Sequence, residues 1–194
     1  QVVQKLIAAG ADVNQAETDV GATPLYTAAY DGHSKVVEIL VAAGAGVNQA
    51  RTDDGATPLY IAAHNGHFKV VKTLITAGAD VNQATSEGST PMYAAAYIGH
   101  TEIVAKLLQH GADKSIRGFN NTTPLEAAQL RKHDIIALLL KQEVPFIDRL
   151  LRYRLLRVPV TPAAIVVAIL LCYLVDLRVW RRAREYFDER RRRK

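Results

Sequence analysis

Six histidines are the side chains most able to do chemistry: His33, His64, His67, His100, His110 and His133. Histidine binds metals and moves protons near neutral pH. A shared metal needs ligand atoms within about 2 Å of the ion. His33, His67 and His100 each follow a glycine and recur at a regular interval, so they belong to a repeat rather than to one ligand set. His64 and His67 are one helical turn apart, a weak metal spacing, and the repeat alone accounts for His67. No serine, histidine and carboxylate share a motif, and Gly44-Ala-Gly46 lacks the Gly-Lys-Ser/Thr of a phosphate loop. Cys172 is the single cysteine, which excludes an intrachain disulfide and a multi-cysteine zinc site. It reads as a small packing residue, with palmitoylation as the alternative. Asn120 and Asn121 each begin an Asn-x-Thr glycosylation pattern, read as coincidental in a cytosolic repeat. The expected protein is not an enzyme and has no cofactor and no metal.

The repeat is strict. Thr23-Pro24-Leu25, Thr57-Pro58-Leu59, Thr90-Pro91-Met92 and Thr123-Pro124-Leu125 follow one another at a period of about 33 residues. Gly-Ala recurs from Gly10, Gly44, Gly78 and Gly111, and Val-Asn-Gln-Ala from Val13, Val47 and Val81. Each marker has a physical job. Thr23 can cap a helix whose first position suits Pro24. Ala28 and Ala29 let a neighbouring helix approach closely. Gly32 suits the left-handed residue that ends that helix. Val36-Val37-Glu38-Ile39-Leu40 is apolar at helical spacing, and Gly44 ends this second helix. A polar loop, Val47 to Gly55, leads to the next Thr-Pro. One helix–turn–helix–loop unit cannot bury its own apolar face, so the units must stack.

These units resemble ankyrin repeats. Gly55-Ala-Thr-Pro-Leu-Tyr-Ile-Ala-Ala63 followed by Gly66-His67 carries the resemblance almost throughout. It implies an all-α ankyrin-repeat solenoid over residues 1–143, with complete units at 19–52, 53–85 and 86–118 and a last unit at 119–143. Residues 1–18 supply only a second helix and its loop. Two departures stand out. The family's histidine after Thr-Pro-Leu is replaced by Tyr26, Tyr60 and Tyr93, and by Glu126 in the last unit, so the bonding between repeats must differ. The first unit lacks its first helix, which leaves an apolar face open. That predicts a longer parent protein or a separate cap. Arg131, Lys132, His133 and Lys141 predict a partly polar, capping last unit.

The resemblance also implies a binding surface, made of loop tips and the exposed face of each first helix. Partner contacts are then expected from Asp19, Val20, Ala22, Tyr30 and Asp31 in the first complete unit. The second offers Asp53, Asp54, Ala56, His64 and Asn65. The third offers Ser86, Glu87, Ser89, Tyr97 and Ile98. Tyr30 and Tyr97 read as anchors. Asp31, Asp53, Asp54 and Glu87 suggest a partner with a basic segment, or are ordinary solvated charges.

Charge separates the rest of the chain. The whole has 194 residues, 49% hydrophobic and 22% charged, with a net charge of +5. Residues 1–143 hold 11 Lys and Arg against 14 Asp and Glu, a net of −3; residues 144–194 hold 13 against 5, a net of +8. Residues 144–157 read as a basic amphipathic linker, either on an anionic membrane or packed on the last repeat. Residues 158–180 form a candidate transmembrane helix, and residues 181–194 a basic tail ending in Arg190-Arg-Arg-Arg-Lys194. From Val158 to Val175 no residue is charged, and ten are Val, Ile or Leu. Such residues favour insertion by roughly −3 to −6 kcal/mol in sum. Tyr153 and Trp180 suit the membrane interfaces. Against this, Thr161-Pro162 reads as a late helix start, and the run from Pro162 to Val175 has the length of a buried or interfacial helix. The expected function is a membrane-tethered, cytoplasm-facing scaffold for a protein partner. One alternative is a soluble adaptor whose arginines address the nucleus or nucleic acid. Another is the regulatory segment of a larger membrane enzyme or channel.

Overall fold

The computed structural model describes residues 2–141. They form nine short α-helices and one 3-10 turn, with no strand among them. The first helix, α1 (Val2–Ala8), is followed by four pairs: α2 (Pro24–Tyr30) with α3 (Ser34–Ala42), α4 (Pro58–His64) with α5 (Phe68–Thr76), α6 (Pro91–Ile98) with α7 (Thr101–Gln109), and α8 (Pro124–Leu130) with α9 (Asp134–Lys141). Helices of seven to nine residues are too short to persist alone, where about 12–15 are needed. Stacking therefore supplies their stability.

Two layers result. Helices α2, α4, α6 and α8 stack as one, and α1, α3, α5, α7 and α9 as the other. The core lies between the layers. Leu25, Leu59 and Met92 enter it from the first layer, and Val37, Val71, Leu74, Val104, Leu107 and Ile136 from the second. Ala29, Ala62, Ala63, Ala95, Ala96 and Ala128 are fully buried, since methyl side chains let first-layer helices approach closely. This is the all-α solenoid that the repeat predicts. The hydrophobic helix expected over residues 158–180, with the linker before it and the basic tail after it, lies outside the described residues.

The local signals act as expected. Thr23, Thr57, Thr90 and Thr123 cap their helices, each hydroxyl accepting the backbone N–H three residues on. Proline occupies the first turn every time, where its missing N–H costs nothing. Gly32 follows α2 at φ +72°, and Gly44 follows α3 at φ +87°.

The two ends differ from the interior. At the first end no described helix covers the outer side of α2. The result is an open groove of about 400 Å³, lined by Val3, Ala22, Pro24, Thr27, Ala28 and Val36 among others. At the far end Arg131, Lys132 and Lys141 are exposed, so the last unit is partly polar. Arg131 and His133 turn back onto Tyr97 of the preceding unit. Leu130, Ile135 and Leu138 are left exposed.

Candidate interaction surface

The first-layer helices place their last residues side by side. Tyr30 and Asp31, His64 and Asn65, and Tyr97 and Ile98 occupy equivalent positions at the ends of α2, α4 and α6. Cross-unit bonds hold this row in register. The Asn65 amide and the His67 Nε2–H both donate to the Tyr30 carbonyl, at 3.0 and 2.9 Å. His100 Nε2 bonds to the His64 carbonyl at 3.0 Å, and His133 Nε2 to that of Tyr97 at 3.1 Å. The repeated histidine is thus a staple between units. His64 itself is exposed, with Nδ1 2.9 Å from the Asn65 side-chain oxygen. Among the described residues no group of three or more His, Cys, Asp or Glu is placed to hold a metal ion.

The loops make a second row. Asp19, Asp53, Ser86 and Glu87 are exposed at their tips, and Asp54 is half-buried. Neighbouring tips are joined through the backbone: Thr52 N–H donates to Val20 C=O at 3.1 Å, and Ser86 N–H to Asp54 C=O at 2.8 Å. The Ser86 hydroxyl also donates to the Asp54 carbonyl, so that side chain is engaged in joining loops.

Three expected contact positions are corrected. Ala22, Ala56 and Ser89 are 7%, 1% and 4% exposed. They immediately precede the capping threonines, where the chain turns inward, and the Ser89 hydroxyl accepts the Phe119 N–H. Their side chains cannot meet a partner. Val20 is half-buried against the core. The other expected positions face solvent at least in part.

Two of the tyrosines that replace the family's histidine, Tyr26 and Tyr93, are tied by bonds of their hydroxyls. The Tyr26 hydroxyl accepts from the Arg51 guanidinium at 3.3 Å, and that guanidinium also lies 5.3 Å from the centre of the Tyr26 ring. The Tyr93 hydroxyl lies 3.2 Å from the Phe119 carbonyl and 3.1 Å from the Thr122 hydroxyl. Tyr26 thus holds the loop at the end of its own unit, and Tyr93 reaches the loop of the next. Burial pushes the Tyr26 and Tyr60 phenols above their ordinary value; at Tyr26 the bond from Arg51 partly offsets it. Arg51 is held charged, above its ordinary range, by the Tyr26 bond first and Asp53 further on. Partial desolvation opposes ionisation of Asp53, but its ion pair with Arg51 and two backbone N–H groups outweigh that and lower its pKa.

One device escaped the reading of the sequence. The asparagine of each Val-Asn-Gln-Ala pins the next unit. Asn14 Oδ1 accepts Gly46 N–H at 2.8 Å, Asn48 Oδ1 accepts Asp80 N–H at 2.8 Å, and Asn82 Oδ1 accepts Asp113 N–H at 2.7 Å. The signal was the invariance of that residue from repeat to repeat. A second device, the Thr123–Glu126 capping box, was legible as Thr-x-x-Glu.

A family model described as ankyrin repeats (3 copies) matches residues 1–85 and 78–148. These matches span most of the chain, and the chain belongs to the ankyrin-repeat family. Such repeats generally mediate protein–protein interactions and are typically non-catalytic. No curated protein was found to match the chain. Among the described residues no helix is long and apolar enough to cross a membrane. The candidate span at residues 158–180 and its interface residues Tyr153 and Trp180 lie outside them.

Proposed function

We propose that this protein is a non-catalytic scaffold. It grips a protein partner on the row formed by the ends of α2, α4 and α6 and by the acidic loop tips. It is tethered to a membrane by residues 158–180, with the repeats on the cytoplasmic side. The observation that carries the first part is the alignment of Tyr30, His64 and Tyr97 along one edge, held by the histidine staples. The staples hold the backbone of the row, so the spacing of its aromatic side chains is set before a partner arrives. The carboxylates Asp31, Asp53, Asp54 and Glu87 favour a basic segment in the partner. For the tether, the support is the uncharged run from Val158 to Val175. Confinement to a membrane raises the partner's effective concentration there.

Two experiments test the two parts. A photo-crosslinker placed at Tyr30 or His64 should capture a protein partner in cells. The same group at the exposed Lys35 or Lys72 of the second layer should not. Equal capture from both layers refutes the row as the binding face. In carbonate extraction the full chain should stay in the membrane pellet, and a chain ending at Glu143 should not. A full chain that is extracted refutes the tether.

A further inference from the structure

Among the described residues a guanidinium lies over a tyrosine ring twice. Arg51 lies over Tyr26 at 5.3 Å from the ring centre, and Arg131 over Tyr97 at 4.4 Å. The second pair belongs to the binding row itself. Arg131 extends from the end of α8 to the ring at the end of α6, the unit before it. Tyr97 in turn stacks with Tyr93, centre to centre 6.2 Å.

Tyr30 holds the position equivalent to Tyr97, two units earlier. The residue placed to cover it, equivalent to Arg131, is Asn65. Asn65 bonds instead to the backbone carbonyl of Tyr30 at 3.0 Å. The Tyr30 ring is therefore 53% exposed, and among the described residues no cation lies over it. The next residue is the exposed carboxylate Asp31, 4.0 Å from the His33 ring. An exposed ring next to an acid, equivalent to one that carries a guanidinium, has the chemistry of an arginine receptor.

We infer that Tyr30 and Asp31 form the receptor for an arginine side chain of the partner segment. This rests on the scaffold reading above and names the chemistry it selects. Stacked helices are about 8–10 Å apart. An extended chain covers that distance in three residues, at about 3.3 Å each. The segment that fits is therefore extended, with its arginine on Tyr30 and the residue three further on level with His64. Lysine satisfies the carboxylates equally but lacks the flat face that stacks on the ring.

The test uses the full chain and three labelled decapeptides of glycine and serine. They carry arginine, lysine or citrulline at positions 2, 5 and 8, and binding is read by fluorescence anisotropy. The arginine peptide should bind about three-fold or more tighter than the lysine peptide, and the citrulline peptide should not bind. Tyr30→Ala should erase the preference for arginine, with lysine binding weakened less, and an unchanged denaturant midpoint shows that the variant is folded. Tyr30→Phe should keep the preference, because the ring remains. Asp31→Asn should weaken both charged peptides. Equal affinity for arginine and lysine, a preference that survives Tyr30→Ala, or no binding of either peptide overturns the inference. The crosslinking above separates the two readings. Capture from Tyr30 of a partner whose bound segment lacks arginine overturns only the receptor, whereas no capture from the row overturns both.

Discussion

Gly32 and Gly44 both sit just past a helix at positive φ, +72° and +87°, but their surroundings differ. A Cβ on Gly32 would lie 2.6 Å from Nδ1 of His67, the ring whose other nitrogen staples the units. A Cβ on Gly44 would meet nothing within 4 Å. Both alanine variants carry the left-handed backbone cost of about 1–2 kcal/mol. Only Gly32→Ala must also displace the staple, adding about 1 kcal/mol for the lost hydrogen bond. Denaturant midpoints should rank Gly44→Ala above Gly32→Ala, and equal midpoints would contradict the clash. Tyr60 gives a pH prediction. Burial, then Asp54 and Glu87, raise its phenol above the ordinary value near 10. Its contribution to stability is complete below that value and is lost as pH rises through the folded value, because the unfolded chain ionises first. Tyr60→Phe should leave stability at pH 8 within about 0.5 kcal/mol and should make the alkaline decline shallower. An unchanged decline would mean that other groups account for it.

At the scale of the element, the caps matter because each helix has only two turns. Thr90 is buried, and its hydroxyl accepts the Tyr93 N–H at 3.2 Å. Removing such a cap costs about 1 kcal/mol, with a range of 0.5–2. The expectation is a loss of that size for Thr90→Ala in urea denaturation and a much smaller one for Thr90→Ser, which keeps the oxygen. If serine costs as much as alanine, the methyl packing and not the cap is what Thr90 supplies. The last unit has a second tie. Glu126 accepts the Thr123 N–H at 2.7 Å, and that bond, with the Thr123 hydroxyl next, holds its carboxyl below the ordinary range. The cap therefore stays intact well into mildly acidic solution and weakens only as pH falls through the lowered value.

For the whole described array, stability is a sum of units and interfaces, so position in the stack sets local stability. Helix α1 buries no residue. Helices α4 to α7 lie between neighbours on both sides and supply Leu59, Val71, Leu74, Met92, Ile103 and Leu107 to the core. Amide exchange should therefore be slowest in α4 to α7 and fastest in α1, with α9 between them. Uniform protection from α1 to α9 would show a single cooperative unit instead. In the last unit Leu130, Ile135 and Leu138 are exposed, as are Arg131, Lys132 and Lys141, so its surface is part apolar and part polar.

The repeat made the helices, their caps and their order legible before any coordinates, because these depend on contacts between near neighbours in the chain. Thr-Pro-Leu marks a helix start, and Gly-His and Gly-Ala mark helix ends, through local backbone geometry that the chain specifies by itself. The side-chain partners across units were not legible. Neither Arg131 against Tyr97 nor Asn14, Asn48 and Asn82 against the next loop follows from spacing, since the members of each pair belong to successive units and meet only when those units stack; Arg51 meets Tyr26 only when the loop at the end of their unit folds back onto α2. The same holds for the row proposed to bind. The sequence alone determined which positions vary from unit to unit. Only the stacking decided that Ala22, Ala56 and Ser89 are covered while Tyr30 keeps its ring in water, because burial is a property of neighbours and not of the residue.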